Sequence, residues 1–193
     1  ASKILPEGAL QLVCGSVGDM LTHLTCQDAV SFTGSASTGT KPRQHPTIMQ
    51  NSVRFFMEAD SLNCSILGTD VQPHTPEFDL YVKEVVREMT VKAGQKCTAI
   101  RRAIVPADRL EVVADAIATR LATITLGNPD NDNVRMGALA GLEQRQDVRD
   151  RVNELAKENE LIWGQLDGFN IIDANAQDGA FMSPLLFACH TPH

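Results

Sequence analysis

The chain has 193 residues, 43% of them hydrophobic and 21% charged, enough to bury one sizeable core or to divide at most into two small domains. Its formal charge of −7 repels phosphate backbones, and Arg101 with Arg102 is the largest basic cluster, so nucleic acid is not an expected partner. No uninterrupted apolar run approaches the ~20 residues that cross a bilayer, and residues 1 to 20 lack the basic-then-apolar layout of a signal peptide, so no membrane partner is expected and the default compartment is cytoplasmic.

Short apolar runs alternate with amphipathic helical patterns, the signature of an α/β fold. Leu10 to Val13 and Ala29 to Phe32 are predicted strands, closed soon afterwards by Gly15 and Gly34, with a short helix at Met20 to Leu24 between them. Ser35 to Gln44 opens with capping residues and predicts a helix; Val53 to Met57 and Cys64 to Leu67 follow as strands. Thr75 as N-cap and Pro76 at the first helical position start a stronger helix, in which Phe78, Val82, Val85, Val86 and Met89 keep the 3.6-residue period up to about Ala93. Asp108 and Glu111 offer a box-like start to the next, with Leu110, Val113, Ile117, Leu121 and Ile124 on its buried face and Gly127-Asn128-Pro129 as its end. Leu142 to Glu158 is a heavily charged helix with a narrow stripe of Val148, Val152 and Leu155. Strand-like pieces at Leu161 to Trp163, Phe169 to Ile172 and Phe181 to Phe187 complete the pattern.

The five cysteines are widely spaced with no Cys-x-x-Cys pair, which predicts free thiols rather than a disulfide framework or a zinc cage. For Cys14, Cys26, Cys64 and Cys189 the ordinary expectation is a small apolar residue in a core. Among the histidines only His190 and His193 sit three apart, at the end of the chain, and no metal site is expected.

Three features carry chemistry. Phe32-Thr33-Gly34-Ser35-Ala36-Ser37-Thr38-Gly39 runs from a strand into small residues at a helix start, a turn that can present N–H groups and hydroxyls to a phosphate, although such turns also serve tight packing alone. Gly94-Gln95-Lys96-Cys97 sets a thiol after a flexible glycine and a basic residue; a nucleophilic cysteine needs positive potential nearby, and Lys96 is so far a neighbour only in sequence. Glu58 ends the apolar strand Val53 to Met57, where apolar walls can turn a carboxylate into a general base, although taken by itself such a residue is more often a solvated strand end.

Together and in this order, these features resemble the aldehyde dehydrogenase superfamily over nearly the whole chain. Phe32 to Gly39 is similar to its Phe-Thr-Gly-Ser-x-x-x-Gly cofactor turn, Gly94 to Cys97 to its Gly-Gln-x-Cys loop, and Phe56-Met57-Glu58 to the placement of its general base; Gly127-Asn128-Pro129, Met136-Gly137 and Gly179 to Pro184 match later marks. The spacing from Glu58 to Cys97, longer than in common members, resembles the branch that serves phenylacetate degradation, where the domain is joined to an enoyl-CoA hydratase-like one.

The resemblance implies catalytic Cys97 and Glu58, cofactor contacts from Gly34, Ser35 and Thr38, NADP or NAD as cofactor, and oxidation of a CoA-linked semialdehyde to the acid through a cysteine thiohemiacetal and thioester. It also implies the C-terminal part of a Rossmann-type cofactor domain in residues 1–75, the N-terminal part of an α/β catalytic domain in residues 76–193, and homo-oligomers. Ala59, Asp60 and Ser61 depart from the Leu-Gly-Gly that usually follows the glutamate. The family's oxyanion asparagine and adenosine-ribose lysine belong upstream of Ala1, and its second cofactor glutamate downstream of His193. The chain is therefore expected to be an internal part of a longer enzyme and inactive alone. Two alternatives stand beside this reading: a CoA-acylating dehydrogenase, against which Glu58 argues, and a nucleotide-binding or assembly module without turnover.

Overall fold

The computed structural model describes residues 4–191, and the chain divides into two compact units between Asp60 and Ser61.

In the first unit, strand β1 (Ala29–Gly34) pairs in parallel with β2 (Arg54–Ala59), in continuous register from Ala29 against Arg54 to Gly34 against Ala59. Two parallel neighbours require a crossover, and helices α1 (Ala36–Arg43) and α2 (Pro46–Gln50) supply it. The sequence reading missed α2. Its N-cap is His45, whose Nδ1 accepts from the Thr47 N–H at 3.3 Å, ahead of Pro46 at the first position; imidazole lies outside the usual capping set. Where a strand was expected at Leu10 to Val13 the chain is irregular and Leu12 is 89% exposed, because an apolar run without a partner ladder has nothing to satisfy its backbone. The expected helix at Met20 to Leu24 is a single 3-10 turn, Met20–His23.

In the second unit, β3 (Asn63–Ile66) pairs in parallel with β4 (Ile100–Ile104), and the connection between them is α3 (Pro76–Thr90) followed by a tight turn. α4 (Leu110–Leu121), α5 (Leu142–Leu155) and an antiparallel pair, β5 (Glu160–Trp163) with β6 (Leu186–Ala188), follow. α3 forms as the pattern demands: the Thr75 hydroxyl accepts from the Phe78 N–H, Pro76 opens the helix, and Glu77 and Asp79 complement the dipole of its first turn. Its stripe of Phe78, Val82, Val85 and Val86 packs with Leu67 and with Val113, Ile117 and Leu121 in one core cluster. Ile117 and Leu121, 1% and 2% exposed, are each stabilised by about 2 kcal/mol of apolar burial. A smaller cluster joins Leu126, Met136 and Phe181.

Several sequence expectations are corrected here. No Asp108–Glu111 box forms: a 3-10 turn at Ala107–Arg109 precedes α4, Asp108 pairs with Arg109, and Arg109 donates to the Val71 carbonyl at 2.6 Å. β4 escaped prediction because Ile-Arg-Arg-Ala-Ile lacks a two-residue alternation. Phe169 to Ile172 makes only a bridge, Gly127 with Ile172. Only Leu186–Ala188 of the last apolar run is strand, since Pro184 has no N–H to donate. All five cysteines are exposed and free, so the core role expected of Cys14, Cys26, Cys64 and Cys189 does not hold. The compact units part between Asp60 and Ser61, just before β3 begins its pairing with β4; the functional boundary expected after residue 75 is a separate matter and stands as a proposal. Among the described residues no helix is long and apolar enough to cross a membrane.

Candidate active site

In the first unit the turn of small residues after Phe32 lies at the C-terminal ends of two parallel strands, the usual place for a ligand in an open α/β sheet. β1 ends at Gly34, and Ser35 caps α1 with extended backbone (φ −77°, ψ 147°). The Ser35 hydroxyl accepts from the Thr38 N–H at 3.2 Å and donates to Thr38 Oγ1 at 2.8 Å, with Ser37 Oγ 3.2 Å away. Gly39 explains the small residues: a Cβ there would lie 2.7 Å from the Phe32 ring and 2.8 Å from Met57 Sδ, so only glycine lets α1 lie this close to both strands. The structure thus brings Gly34, Ser35 and Thr38 into one turn.

Asp60 enters this turn as well. It takes a left-handed backbone (φ 52°) directly after β2, its N–H donates to the Gly34 carbonyl at 3.2 Å, and its Oδ1 accepts from the Ala36 N–H at 3.1 Å. A carboxylate therefore occupies one of the N-terminal donors of α1. The hydroxyls of Ser35, Ser37 and Thr38, exposed at a helix start, fit a phosphate; Asp60 is the one group beside them of the wrong sign. Glu58, paired across the ladder with Thr33, is exposed at the end of β2, so its own strand supplies no apolar walls.

In the second unit, α3 leads into the Cys97 loop through a strained turn. Lys92 (φ 53°), Ala93 (φ 52°) and Gly94 (φ 70°) are all left-handed, which costs a non-glycine residue about 1 kcal/mol. Gln95 braces the turn: its N–H and Nε2 donate to the Lys92 carbonyl at 3.1 and 3.0 Å, and its Oε1 accepts from the Ala140 N–H at 2.8 Å. Lys96 to Ala99 then makes a β-turn, closed by the Ala99 N–H on the Lys96 carbonyl at 3.1 Å, with exposed Cys97 as its second residue. The Lys96 ammonium pairs with Glu88 of α3 at 2.6 Å and so ties the loop down; the other Glu88 oxygen is buried without a partner. Asn63 Nδ2 donates to the Cys97 carbonyl at 2.6 Å, to the Ala99 carbonyl at 3.2 Å and to Ser61 Oγ at 2.8 Å, and the Ser61 hydroxyl donates to the Cys97 carbonyl.

Ser61, Asn63 and Asp60 were not picked out from the sequence. The one available signal was the departure of Asp60 and Ser61 from the usual glycine pair. Tyr81, half-buried on α3, donates to the Ser65 carbonyl at 3.2 Å, and burial pushes its hydroxyl up to about 12. Of the two terminal histidines, His190 lies 3.6 Å from Glu160, and His193 is outside the described residues.

The profile of the aldehyde dehydrogenase family matches residues 1–193. The chain belongs to that family. It is 49% identical over 186 residues to 3,4-dehydroadipyl-CoA semialdehyde dehydrogenase of Aromatoleum evansii, covering 96% of this chain and 36% of that protein. It is 30% identical over 193 residues to 3-succinoylsemialdehyde-pyridine dehydrogenase of a Pseudomonas species, covering 95% and 37%. Among solved structures, betaine aldehyde dehydrogenase from Staphylococcus aureus in complex with NAD+ superposes with a TM-score of 0.71 at 25% identity, over 83% of this chain and 30% of that one. This aldehyde dehydrogenase chain thus spans about a third of the length of the curated relatives it matches. The mixed α/β fold expected from the sequence is the fold of these structures.

Proposed function

We propose that the chain supplies the nucleophile, the general base and the phosphate-facing turn of an NAD(P)-dependent aldehyde dehydrogenase acting on a CoA-linked semialdehyde. The observation that carries this reading is Cys97: an exposed thiol at the second position of a tight β-turn, in a loop braced from three directions by Gln95, Lys96 and Asn63. A loop that serves only as a connection has no need of such bracing; a nucleophile does, because a small displacement of the attacking atom costs orders of magnitude in rate. The substrate class rests on the 49% identity to a dehydrogenase of a CoA-linked semialdehyde.

The Cys97 thiolate adds to the aldehyde carbon, forming a C–S bond and an oxyanion. The Cys97 N–H is not consumed by the turn's own hydrogen bond and donates to that oxyanion. Gly34, Ser35 and Thr38 would hold the cofactor pyrophosphate, and a nicotinamide bound there would supply the hydride acceptor that the oxidation of the Cys97 adduct requires. Glu58 then removes a proton from water, the water oxygen attacks the acyl carbon, and the C–S bond breaks to release the carboxylic acid and the thiol.

Product analysis tests this. The protein carrying this chain, given a CoA-linked semialdehyde and NADP, should yield the free acid at that end of the molecule. A new acyl-CoA thioester formed only when free CoA is added would instead mean that CoA, not water, takes the acyl group, and would remove Glu58 from the mechanism.

A further inference from the structure

The first residues of the second unit lie beside the Cys97 loop. β3 and β4 run parallel with Asn63 opposite Ile100, which places the start of β3 beside the residues that precede β4. Two side chains exploit this: the Ser61 hydroxyl and the Asn63 amide both donate to the carbonyl of Cys97, and the same amide also donates to the carbonyl of Ala99. Ala99 is fully buried and its N–H closes the turn on Lys96, so the turn is pinned at its downstream end. Asn63 and Ser61 pin its apex.

We propose that Ser61 and Asn63 are positioning residues for the nucleophile, acting through the Cys97 carbonyl. This rests on the reading of Cys97 as the nucleophile. Two effects follow from the geometry. Holding the 97–98 peptide fixes ψ of Cys97 and with it the direction of the Cα–Cβ bond, so the thiol is delivered in one orientation rather than sampled over several. Two donors on the same oxygen also draw off its partial negative charge, which would otherwise face a forming thiolate. Neither role is open to a glycine at position 61, the residue type that the resembling pattern places there.

The test compares Ser61→Ala and Asn63→Leu, singly and together, with Ser61→Thr, in the full-length protein that carries this chain. The double variant should lose about 30-fold in kcat with KM for the cofactor changed less than about threefold and the thermal midpoint nearly kept, while Cys97 alkylates with iodoacetamide more slowly at neutral pH because its thiolate faces the unrelieved carbonyl; Ser61→Thr, which keeps the hydroxyl, should retain turnover. Unchanged kcat in the double variant would overturn the inference. If that variant does not fold, Ser61→Ala against Ser61→Thr decides: turnover lowered in the first and restored in the second supports positioning, and equal turnover in both overturns it. Cys97→Ala separates the two levels. Turnover surviving in Cys97→Ala removes the nucleophile reading itself, whereas turnover lost there but untouched by Ser61 and Asn63 substitutions removes only the positioning role.

Discussion

Asp60→Gly should tighten cofactor binding without weakening the fold. The Asp60 carboxylate lies 3.1 Å from the Ala36 nitrogen, the distance at which a phosphate oxygen would take the same N–H, so the two cannot use that donor together. Displacing Asp60 costs a helix-capping hydrogen bond, about 1 kcal/mol, and the displaced carboxylate still repels the diphosphate by roughly 0.5–1 kcal/mol at a solvated surface. Removing it should therefore lower the cofactor Kd by on the order of tenfold, at about 1.4 kcal/mol per decade. Stability changes little, because the lost cap is offset by placing glycine at φ 52° in place of a residue with a Cβ. The assay is a fluorescence titration with NADP and with NAD in the full-length protein, beside a thermal scan of the free protein. The gain should shrink as salt rises. A Kd unchanged or raised in Asp60→Gly, with the thermal midpoint kept, would show that the cofactor diphosphate does not approach this turn.

Four further outcomes follow from the structure. Gly94→Ala should destabilise by about 1–2 kcal/mol in denaturant titration, from its φ of +70° and a Cβ 3.0 Å from the Met89 carbonyl, and should reduce turnover as the Cys97 loop shifts. Ile117→Ala should cost about 3–4 kcal/mol by the same measurement, as expected for a fully buried side chain between two helices. Tyr81, whose raised folded value of about 12 favours the protonated form in the fold, contributes stability that is fully present below the ordinary tyrosine value of 10.0 and lost as pH rises through about 12; the ultraviolet difference titration between wild type and Tyr81→Phe should show this tyrosine ionising near the upper value. Asp167 is held below the usual carboxylate range by its hydrogen bonds with Arg149. Its contribution should be present at neutral pH and vanish as pH falls through that lowered value, seen as the convergence of wild type and Asp167→Asn in acid unfolding.

Helical periodicity made α3 and α4 legible, because the same residues that repeat every three to four positions, Val82, Val85, Val113 and Ile117 among them, are the ones the core needs. β1 was legible as a short apolar run closed by glycine, and the turn into α1 as a line of small residues whose reason, Gly39 against Phe32 and Met57, is steric. What stayed hidden depends on partners distant in sequence. Leu10 to Val13 has the composition of a strand and no ladder to join. Asn63 finds Cys97 across a parallel pairing that no local pattern announces, and Asp60 caps a helix that begins 24 positions earlier. The candidate site was legible through its short motifs; the residues that hold those motifs in place were not.

The most direct test of the account is acyl trapping in the full-length protein. Turnover of a CoA-linked semialdehyde should be lost in both Cys97→Ala and Glu58→Gln, and mass spectrometry of Glu58→Gln after one turnover should find the acyl group bonded to Cys97. Turnover persisting in both variants, or an acyl group found on another residue, would contradict it.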